Sequence, residues 1–121
     1  MNHPVVWFEV LGKDGAQMQR YYSELFGWKI DATKSKGYGL VDTGTKAGIP
    51  GGVAGTFPGT RPWATFYVRA NDPDATLKRA EKLGGKIVMP PTAFPEGPTI
   101  AFFSDPEGNV IGLVKEEADA A

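Results

Sequence analysis

Apolar residues recur along this chain with two different periods, and the two periods alternate. Residues 5–11, VVWFEVL, are rich in β-branched and aromatic side chains and predict a strand. Residues 16–26 place Met18, Tyr21, Tyr22, Leu25 and Phe26 at helical spacing. Asp14 stands ahead of them as an N-cap, whose carboxylate accepts from the free amides of a first turn. Gly27 stands behind them, where a left-handed cap conformation costs glycine nothing. Residues 28–32, 38–42 and about 52–54 return to strand character. The same order then recurs. Residues 63–69 predict a strand, Asp72-Pro73 a capped helix start, and Ala75, Leu77, Ala80 and Leu83 its apolar positions. Gly84-Gly85 ends that helix, and strands follow at 86–89, 99–104 and 110–114. Asp105-Pro106-Glu107-Gly108-Asn109 reads as the turn between the last two.

The recurrence is an internal repeat. Shifting the chain by 58 positions lays Phe8 on Phe66, Val10 on Val68, Asp14 on Asp72, Leu25 on Leu83 and Gly27 on Gly85. The matches fall at alternate strand positions, a helix start, a helix end and a helix stop. Each half is therefore a βαβββ unit. One unit alone leaves a sheet face bare, so two units are expected to share one core. The division is module one at about 4–55, a linker at 56–62, module two at 63–116 and an acidic tail at 117–121, all within a single domain.

Composition narrows the function. The net charge of −1 and the scatter of 13 basic among 14 acidic residues offer no basic patch for nucleic acid. The absence of cysteine excludes disulfides, thiolate metal sites and cysteine nucleophiles, which suits a cytoplasmic setting. No stretch reaches the roughly 18 apolar residues of a membrane span, and the start of the chain does not read as a signal peptide. Glycine and proline, 16 and 10 in all, cluster at 44–62 and 89–98, which read either as mobile linker or as loops rimming a ligand site. Gly51-Gly52 does not match a phosphate loop, because no Gly-Lys-Ser/Thr follows.

Three runs carry a resemblance to a known family. They are Phe8-Glu9-Val10 with Asp14 and Tyr21-Tyr22-Ser23-Glu24-Leu25-Phe26-Gly27-Trp28, then Lys82-Leu83-Gly84-Gly85-Lys86, then Asp105 to Leu113. In that order, and with the repeat, the chain resembles the glyoxalase / bleomycin-resistance / extradiol-dioxygenase (vicinal oxygen chelate) superfamily from about residue 4 to residue 116. The resemblance implies an α+β fold of two βαβββ modules, with a curved mixed sheet around a concave cavity and helices outside. It also implies a homodimer. Enzymes of the superfamily hold a divalent metal through ligands on the first and last strands of each module. The first-strand histidine would stand seven positions before each helix-cap aspartate, where this chain has Trp7 and Thr65. The second module's last-strand carboxylate would fall at Gly112, and the first module's near Gly52–Val53. None is a good ligand, and the only histidine, His3, reads as a solvated terminal residue. No metal and no other cofactor is expected.

With helices outside, Phe8, Val10, Phe66 and Val68 should face the helices. Alternation then turns Trp7, Glu9, Thr65 and Tyr67 toward the cavity. That mixture of apolar walls and a few polar groups suits a small-molecule ligand. Phe94 and one of Phe102 and Phe103 should join the lining, and Phe57 is a candidate lid. Glu9, beside Trp7 in apolar surroundings, is the candidate catalytic base, against the plainer reading of a structural carboxylate satisfied by hydrogen bonds. Two functions follow: a metal-independent lyase or isomerase acting on a small carbonyl compound, or sequestration of a small hydrophobic or aromatic compound in the manner of bleomycin-resistance proteins. A module that contacts a protein partner is the third, plainer alternative.

Overall fold

A computed structural model describes residues 2–95 and 97–115; the expected acidic tail lies outside the described residues. The elements follow in the order β1 (Val5–Gly12), α1 (Gly15–Phe26), β2 (Lys29–Asp31), β3 (Gly39–Asp42), β4 (Gly51–Gly55), β5 (Trp63–Ala70), α2 (Pro73–Lys82), β6 (Lys86–Ala93), β7 (Thr99–Ser104) and β8 (Val110–Lys115). This is βαβββ twice over, an α+β fold. The chain divides into two compact units: residues 7–65, and residue 66 onward together with the residues before 7.

In the unit of residues 7–65 the strand order is β2-β3-β4-β1. β1 runs parallel to β4, and the other neighbours are antiparallel. The register sets Glu9 opposite Gly52, and Gly52 in turn opposite Leu40. The helix starts as its sequence predicts, with the Asp14 carboxylate accepting from the Gln17 amide at 3.0 Å. It stops at Gly27, whose φ of 71° lies in the left-handed region. The helix-facing side of the sheet carries Phe8, which packs on Trp28 with ring centroids 5.4 Å apart. Tyr22 and Phe26 of α1 meet the same indole at 5.9 and 4.9 Å. The cluster is only half covered: α1 has no buried residue, and Tyr21, Leu25 and Phe26 stand more than half exposed.

In the other unit the order is β5-β8-β7-β6, with β5 and β8 parallel. Asp72 caps α2 by accepting from the Ala75 amide at 3.1 Å, and Pro73 opens the first turn. Leu77 then fills a pocket of Ala70, Ala101 and Leu113, with Val68 and Phe103 around it. This assigns the two adjacent phenylalanines. Phe103 belongs to the helix side, whereas Phe102 lies on the other face with Tyr67, centroids 5.6 Å apart. Gly112 of β8 stands opposite both Tyr67 and Phe102, so its missing side chain lets the two rings meet above it.

The expected loop at 89–98 is largely strand. β6 extends to Ala93 and carries Pro90 and Pro91 through a register shift between Met89 and Thr92. β6 pairs only with β7 and ends the strand order, so prolines, which have no amide to donate, fit there.

Candidate ligand site

The polar centre of the 7–65 unit is Glu9. Its side chain is 2% exposed, and it is the only buried charged residue among the described residues. A buried carboxylate is tolerated only when donors replace the water it has lost. Two aromatic side chains do so. The Tyr38 hydroxyl donates to Glu9 Oε2 at 2.7 Å, and Trp63 Nε1–H donates to Oε1 at 3.0 Å. Trp7 Nε1–H donates in turn to the Tyr38 oxygen at 3.1 Å. Among the described residues no buried side-chain nitrogen or oxygen lacks a hydrogen-bond partner.

The backbone makes this constellation possible. β1 turns Trp7 and Glu9 to one face, and β5 offers Trp63 at its first position. Tyr38 immediately precedes β3, and its ring lies across Gly52, where any Cβ would collide with it. On the opposite face Gly51 makes the same room for Phe8. The Gly51-Gly52 pair thus clears both faces of β4 for aromatic rings. The approach of Tyr38 is secured from α1. Gln19 Nε2 donates to the carbonyls of Gly37, at 2.9 Å, and Val53, at 2.8 Å, tying the segment just before Tyr38 to β4. Burial first, and the neighbouring Glu9 charge second, hold the Tyr38 phenol proton well above the usual phenol range.

Phe57 completes the aromatic set. Its ring stands nearly perpendicular to that of Trp63, at 78° and 6.2 Å between centroids. Phe57 opens a turn in which its carbonyl accepts from the Thr60 amide at 3.0 Å and from the Thr60 hydroxyl at 2.6 Å. Pro58 and Gly59, with φ of 79°, occupy the two central positions, as a type II turn requires. Trp7, Tyr38 and Trp63 are each half-buried, and Phe57 is 37% exposed, so ring surface remains open to solvent.

The structure therefore brings Trp7, Glu9 and Phe57 into one constellation and adds Tyr38 and Trp63, which the sequence reading did not single out. Alternation along β5 was the available signal for Trp63, two positions before Thr65 and four before Tyr67. Tyr38 had no comparable signal, because its reach over Gly52 depends on strand register. Thr65 is half-buried in β5. Tyr67 and Phe102 pack on each other in the second unit. Phe94, 44% exposed, lies just past β6 in a turn where its carbonyl accepts from the Gly97 amide at 3.2 Å.

The residues present do not suit the superfamily's metal. Trp7 offers an indole N–H already given to Tyr38, and Gly52 and Gly112 offer no side chain. The space a ligand side chain would need at those glycines is filled by the rings of Tyr38 and Tyr67. His3 is exposed, ahead of β1. Among the described residues no three of His, Asp and Glu converge. Two open surface depressions, of about 350 and 300 Å³, lie along β2, β3 and the segment after β3. The larger is lined by charged groups, including the exposed Lys34–Asp31 pair at 3.8 Å, and neither includes Glu9.

Comparison with known proteins agrees with the architecture. The Glyoxalase family model, described as the Glyoxalase/Bleomycin resistance protein/Dioxygenase superfamily, matches residues 4–113. A putative glyoxylase, CFP32, from Mycobacterium tuberculosis is 26% identical over 113 residues, covering 88% of this chain and 43% of that protein. The anthracycline biosynthesis protein DauV of a Streptomyces species is 30% identical over 118 residues, covering 84% of this chain and 43% of its own length. This chain thus spans less than half of either relative. The crystal structure of methylmalonyl-CoA epimerase from Mycobacterium tuberculosis superposes with a TM-score of 0.65 at 16% identity, covering 94% of this chain and 88% of that one; the likeness is one of fold.

Proposed function

Because this chain belongs to the glyoxalase / bleomycin resistance protein / dioxygenase superfamily, we propose that it binds a small planar aromatic or hydrophobic molecule against the aromatic side chains held around Glu9. The observation that carries this reading is the saturation of Glu9 by neighbouring side chains. Both of its oxygens accept from aromatic donors, so the carboxylate fixes the orientation of Tyr38 and Trp63. Rigid, half-exposed rings with few rotatable bonds are what an apolar ligand stacks on at low entropic cost. The Streptomyces relative, named for anthracycline biosynthesis, supports the same ligand class. A homodimer is part of the proposal, and light scattering in solution tests it.

A thermal-shift screen with planar aromatic compounds tests the reading. A ligand that binds the native state alone raises apparent stability by mass action, by about 2.7 kcal/mol at a hundredfold excess over Kd. The expected result is a saturable rise in Tm that is lost in Trp63→Ala. A screen without any stabilising compound contradicts the proposal.

A second reading, a metal-independent lyase or isomerase on a small carbonyl compound, draws on one observation, the burial of the Glu9 charge in apolar surroundings. Full turnover of a carbonyl substrate by Glu9→Gln removes this reading and leaves the first intact.

A further inference from the structure

We propose that the outer face of α1 is the surface on which a second copy of this chain docks, with the two helices antiparallel. The inference rests on the homodimer proposed above and adds the face that forms it.

The way α1 is anchored leaves apolar side chains outside. Gln19 points inward and donates to the carbonyls of Gly37 and Val53. The Ser23 hydroxyl donates to the Trp28 carbonyl at 2.9 Å, just ahead of β2. Tyr21 and Leu25 each stand two residues beyond one of these anchors, about 200° around the helix, and so project away from the sheet. Both are more than half exposed. The Tyr21 ring already packs edge-on against Tyr22, with centroids 5.1 Å apart, so little side-chain freedom is lost when a partner covers it.

The charges on the same face identify the partner. Arg20 and Glu24, both exposed, are four residues apart and form a second row beside that of Tyr21 and Leu25. Among the described residues neither is in an ion pair. A two-fold axis in the contact plane, lying across the helices, runs the rows of two copies in opposite directions. Tyr21 then meets Leu25 of the partner subunit, and Arg20 meets Glu24 of the partner subunit. The face is therefore complementary to itself. A parallel pair would instead set the charged row of one copy on the apolar row of the other. The net charge of −1 adds little repulsion between copies. A helix of 12 residues offers a face about 18 Å long, so the contact belongs to the small, concentration-dependent class, below about 1,200 Å² in total.

Sedimentation of the full chain over a concentration series reaching the millimolar range tests this. A monomer–dimer equilibrium is expected, and Leu25→Glu should weaken it by at least about tenfold. Arg20→Glu sets like charges together twice across the axis and should weaken it by about tenfold as well. The double exchange Arg20→Glu with Glu24→Arg should return the affinity to within about threefold of the unsubstituted chain. Circular dichroism checks that each variant folds; should Leu25→Glu not fold, the charge exchange still decides. A monomer at every concentration overturns the inference and the homodimer together. A dimer that neither Leu25→Glu nor Arg20→Glu weakens overturns the face and leaves the homodimer standing. A double exchange that restores nothing overturns the antiparallel arrangement. Ligand binding is read separately by the thermal-shift screen and stands or falls on that result.

Discussion

Glu9 joins Tyr38 and Trp63, and through Tyr38 also Trp7, in one hydrogen-bonded group. Removing its side chain as Glu9→Ala leaves the Trp63 N–H and the Tyr38 O–H without their acceptor, and each such loss costs about 1–3 kcal/mol. Urea unfolding should therefore show a loss of about 2–5 kcal/mol for Glu9→Ala. Glu9→Gln should lose less, because its amide oxygen still accepts one bond. Gly112 gives the complementary case. A carboxylate placed there as Gly112→Glu runs into the Tyr67 ring, and overpacking of that kind costs about 1–3 kcal/mol. The expected outcome is a lower urea midpoint; unchanged stability would mean that Tyr67 moves aside freely. Trp7, Glu9 and Phe57 were legible in the sequence because strand alternation and loop position point to them. Tyr38 was not, since only the pairing of Glu9 with Gly52 shows that a ring can cross there.

Secondary-structure elements were the most legible level, because capping and periodicity are local. Asp14, Asp72 and Gly27 perform the roles their positions predict. β6 was read short because two adjacent prolines look like a loop, and only the strand order reveals an edge that tolerates them. The tie between elements made by Gln19 was also hidden, since a glutamine on a helix carries no signature of the carbonyls it will meet. Its two bonds to Gly37 and Val53 predict that Gln19→Ala loses about 1–2 kcal/mol in chemical denaturation. The loss should come with weaker ligand binding, because Tyr38 follows Gly37 directly. Unaltered stability and affinity in that variant would show that the segment before Tyr38 holds its place without the tie.

Across the whole molecule, the titrating groups bound the pH range of stability. The Thr33 hydroxyl holds the Asp31 carboxyl below its ordinary value of 3.8, and the Asn109 side chain does the same for Asp105. A lowered carboxylate contributes stability above its unfolded value and loses it as pH falls, so both act below about pH 4. Both are exposed, and solvent keeps their share small. Tyr38 acts at the other end. Its proton is held above the ordinary value of 10.0, so its contribution is complete below that pH and lost as pH rises beyond it. Unfolding free energy followed against pH should thus fall on the alkaline side above about 10, and the fall should flatten in Tyr38→Phe. No described helix is long and apolar enough to cross a membrane. The βαβββ repeat was readable from end to end, whereas the family's metal positions had to be checked residue by residue.

The most direct test of the central claim uses the protein's own tryptophans. Trp28 sits in the helix-side cluster with Phe8 and Tyr22, away from the face that carries Glu9. In Trp28→Phe the emission comes only from Trp7 and Trp63, both within the Glu9 constellation. Titrating that variant with a planar aromatic ligand should quench or shift the emission saturably, with the same Kd that calorimetry gives for the unsubstituted chain. Emission that stays constant while calorimetry records binding would place the ligand elsewhere and contradict the account.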